Sequence, residues 1–443
     1  MPSDDAALSA AAIGRWNHAL RALDDLDPAL ERLRKLTVGD RPYCLVARPH
    51  LMTRVRYEAE RLAVTLVASA LSKLAAAISR DPSLLLQLDV SEAERDLLTI
   101  DPGFTDLDVT NRYDGFTGKR FGIIEMQGGA PGALAFVDEA SKTFMETAAF
   151  EEVAGEFELE SFSIIDRLRE ALVEAWRDWG GEGDPTIAIV DWDDAVMMAE
   201  FEEIRDSLRA HGLNALIVDP RQLRFEGGKL RAGDETIDLV YRRLTMMDTI
   251  ARPEDTKALV DAARNVAACV VNPFANDVMG HKTVFALLTN PELGLELTSA
   301  ELNGVHNHVP WTRRLTADGA PETETTVSAG YVAQNRESLV VKPVFDNEGH
   351  GVHLGWECDD HEWTVIVQQA LGHEYIVQKR IWAHREHFPR NEPGFPLERF
   401  YVDTDPYVFR RRVGGVLVRL SRDGITNLSA GGSIVPTFLV SPS

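Results

Sequence analysis

The segment SLVVKPVFDNEGHGVHLG, residues 338–355, carries an apolar strand into Lys342 and then into a loop with Gly349 and Gly351 before a second strand. Glycines let backbone N–H groups approach an anion closely, and a lysine at a strand end adds a point charge for phosphoryl oxygens. An ordinary surface hairpin has the same composition. Lys282 opens a helical pattern in VNPFANDVMGHKTVFALL, after breaks at Asn272-Pro273 and Met279-Gly280. A lysine at that end opposes the helix dipole and so invites an anionic partner; a solvated surface lysine is the alternative. In EYIVQKRI, residues 374–381, polar residues end an apolar run, a pattern that reads as an edge strand.

A third cluster is RYDGFTGKRFGIIEMQGGAPG, residues 112–132. Glu125 and Gln127 alternate along a predicted strand and share a face, and the preceding strand of the same hairpin brings Asp114 alongside. Two carboxylates and an amide oxygen suit a hard cation such as Mg2+, which usually completes its shell with water and substrate phosphates. A solvated hairpin face also fits. Arg419 sits between Leu417 and Leu420-Ser421 in an apolar strand, where a guanidinium needs a buried anionic partner; a phosphate is a good candidate. Arg410, Arg411 and Arg412 read as a solvated strand end. DLVYRR places Arg242 and Arg243 at a strand end, the usual location of ligand groups in parallel sheets, where a substrate carboxylate or a simple salt bridge fits. His50, His281, His350, His353 and His384 show no metal-ligand spacing and no partner for a Ser or Cys nucleophile, which argues against zinc and hydrolase chemistry.

The elements that must hold these residues fall into four stretches. From Ala6 to Leu98 the pattern is helical, with Val67, Leu71, Leu74 and Ile78 three and four apart and one strand at Pro42–Ala47. A hairpin follows, Leu107–Asp114 and Arg120–Gln127 across the Gly115–Gly118 turn, then an amphipathic helix from Phe157 to Trp179 stopped by Gly180 and Gly181. Residues 186–243 alternate strand TIAIVD, helix Ala195–His211, strand NALIVD, a turn-rich piece around Gly227 and Gly228, and strand DLVYRR, a small parallel α/β unit. From Ala263 onward, helices at Lys282–Leu288 and His361–Leu371 mix with strands at Leu339–Lys342, Tyr375–Gln378, Tyr407–Arg412 and Val416–Ser421. The expected class is α+β with an inserted α/β unit. Its parts are a helical region 1–100, a hairpin-and-helix part 101–180, a substrate-type unit 181–262 and a core 263–443.

Composition narrows the partners. Lys and Arg total 46 against 70 Asp and Glu, a formal net charge of −24 that repels nucleic-acid phosphates and anionic lipid heads. The acidic N-terminus does not read as an export signal, and the apolar stretch Arg61–Ile78, broken by Ser69, Ser72 and Lys73, reads as too short and mixed to span a bilayer. Cys44, Cys269 and Cys358 lie far apart and suggest a reducing cytoplasm rather than a disulfide framework.

From about Arg112 to Pro436, the order of these segments resembles the circularly permuted ATP-grasp ligases, the group that includes glutathionylspermidine synthetase and eukaryotic glutathione synthetase. There an R-x-D followed by E-x-N supplies an active-site arginine and magnesium ligands from the front of the chain. Arg112 and Asp114 match the first pair, Glu125 and Gln127 the second, with Gln127 in place of Asn. The resemblance implies ATP contacts from Lys282 and Lys342, a small lid around Gly349, Gly351 and Val352, and adenine contacts from the Q-x-x-I strand Gln378, Lys379 and Ile381. Arg419 matches the family's glycine-arginine strand, followed by an N-L-S loop at Asn427–Ser429. Arg112 and Arg419 would then be catalytic, Asp114, Glu125 and Gln127 would hold Mg2+, and Arg242 or Arg243 would meet the substrate. The implied activity joins a small carboxylate to an amine (amino acid, peptide or polyamine) through an acyl phosphate, with ATP and Mg2+. The same fold could instead bind nucleotide without turnover, or stop at phosphorylation.

Overall fold

The computed structural model describes residues 2–23, 27–88, 90–290, 293–317, 325–344, 351–426 and 431–443. Strands from both ends of the chain build its largest sheet, in the order His50–Thr53, Ser433–Pro442, Arg412–Ser421, Leu397–Phe409, Thr110–Thr117 and Phe121–Gln127. The strand expected at Tyr407–Arg412 begins ten residues earlier, at Leu397, and turns back through Arg410 and Arg411, both at positive φ. Arg410 is no solvated strand end: Asp106, Glu174 and Asp178 surround its guanidinium.

A second sheet runs in the order Thr326–Ser328, Thr312–Thr316, Tyr375–Lys379, Leu339–Pro343, His353–Leu354. Tyr375–Lys379 is therefore central, not an edge strand: its polar end meets a neighbour on each side, Thr312 and Val340 both standing opposite Gln378. Leu339, Val341 and Val377 bury their side chains with Val332, Trp363 and Val367 in a core of their own. The expected parallel unit is present, in the order Cys269–Val271, Leu239–Arg242, Thr186–Val190, Asn214–Val218, with an antiparallel three-stranded sheet attached through residues 223–237.

Two helical expectations and one strand expectation change. Phe157–Trp179 opens as a strand, Phe157–Glu160, pairing with Ser433–Pro442; the helix runs Ile164–Asp178, its first N–H groups donating to Asp138 at 2.9 Å. Pro42–Ala47 contributes only its first residue to a strand, Arg41–Pro42; the apolar run there is buried packing, with Trp16 donating to the Ala47 carbonyl at 3.0 Å. The α-helix near Lys282 spans only Val284–Leu288, fully buried, after a 3-10 turn at Phe274–Gly280, so the helix-dipole argument for Lys282 lapses. Helix Arg54–Arg80 contains a stretch, Arg54–Ile78, long and apolar enough by length and composition to cross a membrane, contrary to the expectation; half of that stretch is buried inside the protein, where Val64, Val67, Leu71 and Leu74 form core.

Candidate functional site

The hairpin register explains how the site is held. Arg112 pairs with Gln127 and Asp114 with Glu125, as period-2 alternation requires, but the next pair is Gly115 with Ile123. Ile124 is thus an extra residue, a bulge, and its carbonyl is free to accept from outside the hairpin. Two donors from the second sheet take it: Lys342 Nζ at 2.9 Å and Gln378 Nε2 at 3.3 Å. Gln378 also donates to Thr312 Oγ1 at 3.0 Å. One carbonyl on the first sheet therefore locks the strand lysine of the second in place.

Beside the bulge, Lys282 Nζ lies 3.4 Å from Glu125 Oε2. Burial disfavours the Glu125 carboxylate, but Lys282 and Lys342, with Arg419 and Arg112 behind them, outweigh that and hold its pKa at about 2. Burial prevails on Lys342: desolvation, with Lys282 adding repulsion, brings its pKa down to about 8 despite the attraction of Glu125, Asp114 and Asp403. Two buried ammonium groups thus act on the Glu125 carboxylate.

Next to this set lies a closed network. Arg112 grips Asp114 with Nε at 2.6 Å from Oδ1 and Nη2 at 2.8 Å from Oδ2. Arg419 reaches Asp114 at 2.8 Å, Asp403 at 2.8 Å and Asp405 at 2.7 Å. The anionic partner of Arg419 is therefore the protein's own set of carboxylates, not a vacancy for phosphate. Burial pushes Asp403 and Asp405 upward against the pull of Arg419, and neighbouring carboxylate charge adds to the shift of each. The sequence reading missed both aspartates, although VDTDPY alternates them on one face; the strand was expected to begin only at Tyr407.

The other expected residues divide. Arg243 reaches the cleft floor, donating to the Pro131 carbonyl at 2.7 Å and Tyr241 Oη at 3.1 Å, with Glu200 at 3.5 Å and its Nε unpartnered. Arg242 does not: Asn272 O, Leu244 O and Asp277 Oδ2 occupy its nitrogens and Phe274 its face, and it is fully buried beneath the site. Lys379 and Ile381 line the cleft, but the Lys379 N–H is already donated to the Trp311 carbonyl and that of Arg380 to Ser338. Gly351 adopts φ +67° and packs against Pro343 and the Tyr375 hydroxyl rather than facing the cleft. Gly349, His350 and Asn427–Ser429 lie outside the described residues.

Arg112, Glu125, Gln127, Arg243, Lys282, Lys342, Gln378, Lys379, Ile381 and Arg419 thus border one cleft of about 1120 Å3, with Asp114 buried at its wall. Among the described residues the lining holds eight Lys or Arg and four Asp or Glu, in a chain whose net charge is −24. That local reversal concentrates anions. For Mg2+, Glu125 and Gln127 present a carboxylate and an amide oxygen to the cleft, a sparse donor set of the kind this ion completes with water and substrate phosphates. Asp114 fits less well, since two arginines hold its oxygens. No group of three or more His, Cys, Asp or Glu side chains among the described residues is arranged as a metal site on its own.

No protein-family profile matches the chain, and no curated protein sequence does. Among solved structures, the chain is similar along its length to a glutathione synthetase-like effector from Globodera pallida in its apo form, with TM-score 0.58 and 12% identity, covering 98% of this chain and 97% of that one. A candidate γ-glutamylcysteine synthetase from Methylobacillus flagellatus KT aligns over 88% of this chain and 89% of its own, with 10% identity and TM-score 0.42. The first likeness shows a shared fold of mixed α/β architecture; the second is too distant to carry an argument.

Proposed function

We propose that this protein is an ATP- and Mg2+-dependent carboxylate–amine ligase of the circularly permuted ATP-grasp kind, working through an acyl phosphate. The observation that carries this reading is the pair Lys282 and Lys342, delivered from separate chain segments to act on the carboxylate of Glu125 inside a cation-rich cleft. In this reading residues 263–443 bind the nucleotide, 101–180 bring the oxygen donors and Arg112, 181–262 bear on the substrate and 1–100 support the sheet.

Lys282 and Lys342 hold the phosphoryl oxygens, exchanging part of their attraction to Glu125 for the stronger charge of a triphosphate. Glu125 and Gln127 would hold Mg2+, which when bound neutralises phosphate charge and polarises the group transferred. Arg112 and Arg419, paired in the resting protein with Asp114, Asp403 and Asp405, hold no ground-state phosphate; lining the cleft, they stabilise the negative charge that develops on the transferring phosphoryl and on the tetrahedral oxyanion. The substrate carboxylate takes the γ-phosphoryl and ADP leaves; the amine then attacks the acyl carbon, loses a proton and expels phosphate. The cation excess of the lining favours amino acids and peptides over polyamines as substrates.

The engagement of Asp114 by two arginines favours a second reading, nucleotide binding without turnover. One assay separates them. With ATP, Mg2+ and pooled amino acids, short peptides and polyamines, the ligase releases ADP and phosphate together with a product equal to acid plus amine minus water. A phosphorylated product that persists with amine present would make it a phosphotransferase, and binding with no turnover on any pool would favour the second reading.

A further inference from the structure

Where the strand Tyr375–Lys379 leaves its sheet, Arg380 contacts the rings of two indoles at once. Its guanidinium carbon stands 3.8 Å from the centre of the Trp356 ring and 3.7 Å from that of the Trp382 ring, distances at which the guanidinium fills the space between them and leaves no room for a second planar group. All three residues line the cleft, and Trp382 is 70% exposed. Among the described residues the Arg380 side chain has no carboxylate within ion-pair distance, and its guanidinium makes one long hydrogen bond, 3.4 Å, to the Glu337 carbonyl. The π faces are therefore what hold this cation.

The backbone beside the gap is closely packed. A Cβ on Gly118 would collide with the Trp382 carbonyl, and one on Gly122 with Ile381, so the hairpin presses directly on this segment. Lys342 pairs with Ile376, four residues along the strand from Arg380, which puts the gap about 13 Å from the phosphate lysine at ~3.3 Å per residue. That is the separation an extended nucleoside triphosphate spans between base and terminal phosphate.

We propose that the gap between Trp356 and Trp382 is the stacking site of a nucleobase and that Arg380 occupies it in the nucleotide-free protein, leaving when the base enters. This rests on the ATP-binding reading above. A slot that the guanidinium fills holds the guanidinium or the base but not both, so Arg380 competes with the ligand and sets how well any base binds.

Calorimetric titration with adenosine, ATP–Mg2+ and inorganic tripolyphosphate, on the full chain, tests this. Arg380→Ala and Arg380→Lys, each checked by thermal melting, remove the planar competitor and are expected to bind adenosine and ATP about five- to tenfold more tightly, the fold-change of losing two exposed cation–π contacts. Trp382→Ala is expected to lose adenosine binding and keep tripolyphosphate binding unchanged. If both arginine variants bind adenosine no better than the parent, or Trp382→Ala binds it equally well, the base sits elsewhere, against Ile124 and Val340, and the proposal is overturned while the ATP reading stands. If neither ATP nor tripolyphosphate binds the parent, the ATP reading falls and the slot assignment with it.

Discussion

Two clusters of buried charge stand side by side on the Thr110–Gln127 hairpin, and they are balanced differently. Around Arg419, two guanidinium groups meet Asp114, Asp403 and Asp405 in direct contacts of 2.6–2.8 Å, and every cation has a carboxylate of its own. Around Glu125, the Lys282 ion pair is 3.4 Å long, Lys342 is tied to the Ile124 carbonyl rather than to a carboxylate, and the pKa of Lys342 falls to about 8. A closed network fixes geometry. An open one keeps attraction in reserve for a ligand that carries more negative charge than the protein supplies, which is why the Lys342 cluster, rather than the Arg419 cluster, is the candidate phosphate site.

Breaking the closed network should have the largest effect, and on the fold. Arg419→Ala leaves the buried Asp403 and Asp405 with their principal counter-charge gone and Asp114 with Arg112 alone, and removing one partner of such a network costs about 3–5 kcal/mol. The expected outcome is a large fall in the urea midpoint; a variant as stable as the parent would show that the carboxylates are already neutral or hydrated.

Glu125→Ala attacks the open cluster and should leave the fold intact while lowering kcat by about 10²–10³, the usual loss for an electrostatic group at the reacting centre. It should also shift pH behaviour. Glu125 raises the Lys342 pKa, so without it Lys342 discharges below pH 8 and the alkaline decline in ATP binding moves to lower pH. Unchanged turnover in the amide-forming assay, with an unmoved pH profile, would remove Glu125 from the site.

The contrast between the clusters also marks what was readable in the sequence. Alternation put Glu125 and Gln127 on one face with Asp114 alongside, and the structure pairs them with Asp114 and Arg112, because a half-buried hairpin obeys period 2 on either side of its bulge. The bulge at Ile124, whose carbonyl orients Lys342 and Gln378, leaves no local signal; it follows from the register of two sheets that are remote in sequence. Asp403 and Asp405 were hidden for a related reason: charged residues on the inward face of a strand look like a loop until their arginine, Arg419 on the next strand, is known. Tyr375–Lys379 was taken for an edge because its polar end suggested solvent, whereas Gln378 is buried between two strands and hydrogen-bonded to Thr312. Arg242 and Arg243 are adjacent and indistinguishable by type, and alternation alone sends one beneath the site and the other into the cleft.

The most direct test of the account is calorimetric titration of ATP–Mg2+ into the parent and into Lys342→Ala, in two buffers of different ionisation enthalpy, at pH 7 and at about pH 8.5. Lys342 titrates at about 8 in the free protein, and a bound phosphate returns it toward its ordinary value. Binding should therefore take up most of one proton per ATP at the higher pH and little at pH 7, with affinity declining as pH rises above 8. In Lys342→Ala the uptake should vanish and the affinity should fall by about ten- to a hundredfold, the worth of one charge-assisted contact. Absence of saturable ATP binding by the parent, or a Lys342→Ala variant with the same affinity and the same proton uptake, would contradict it.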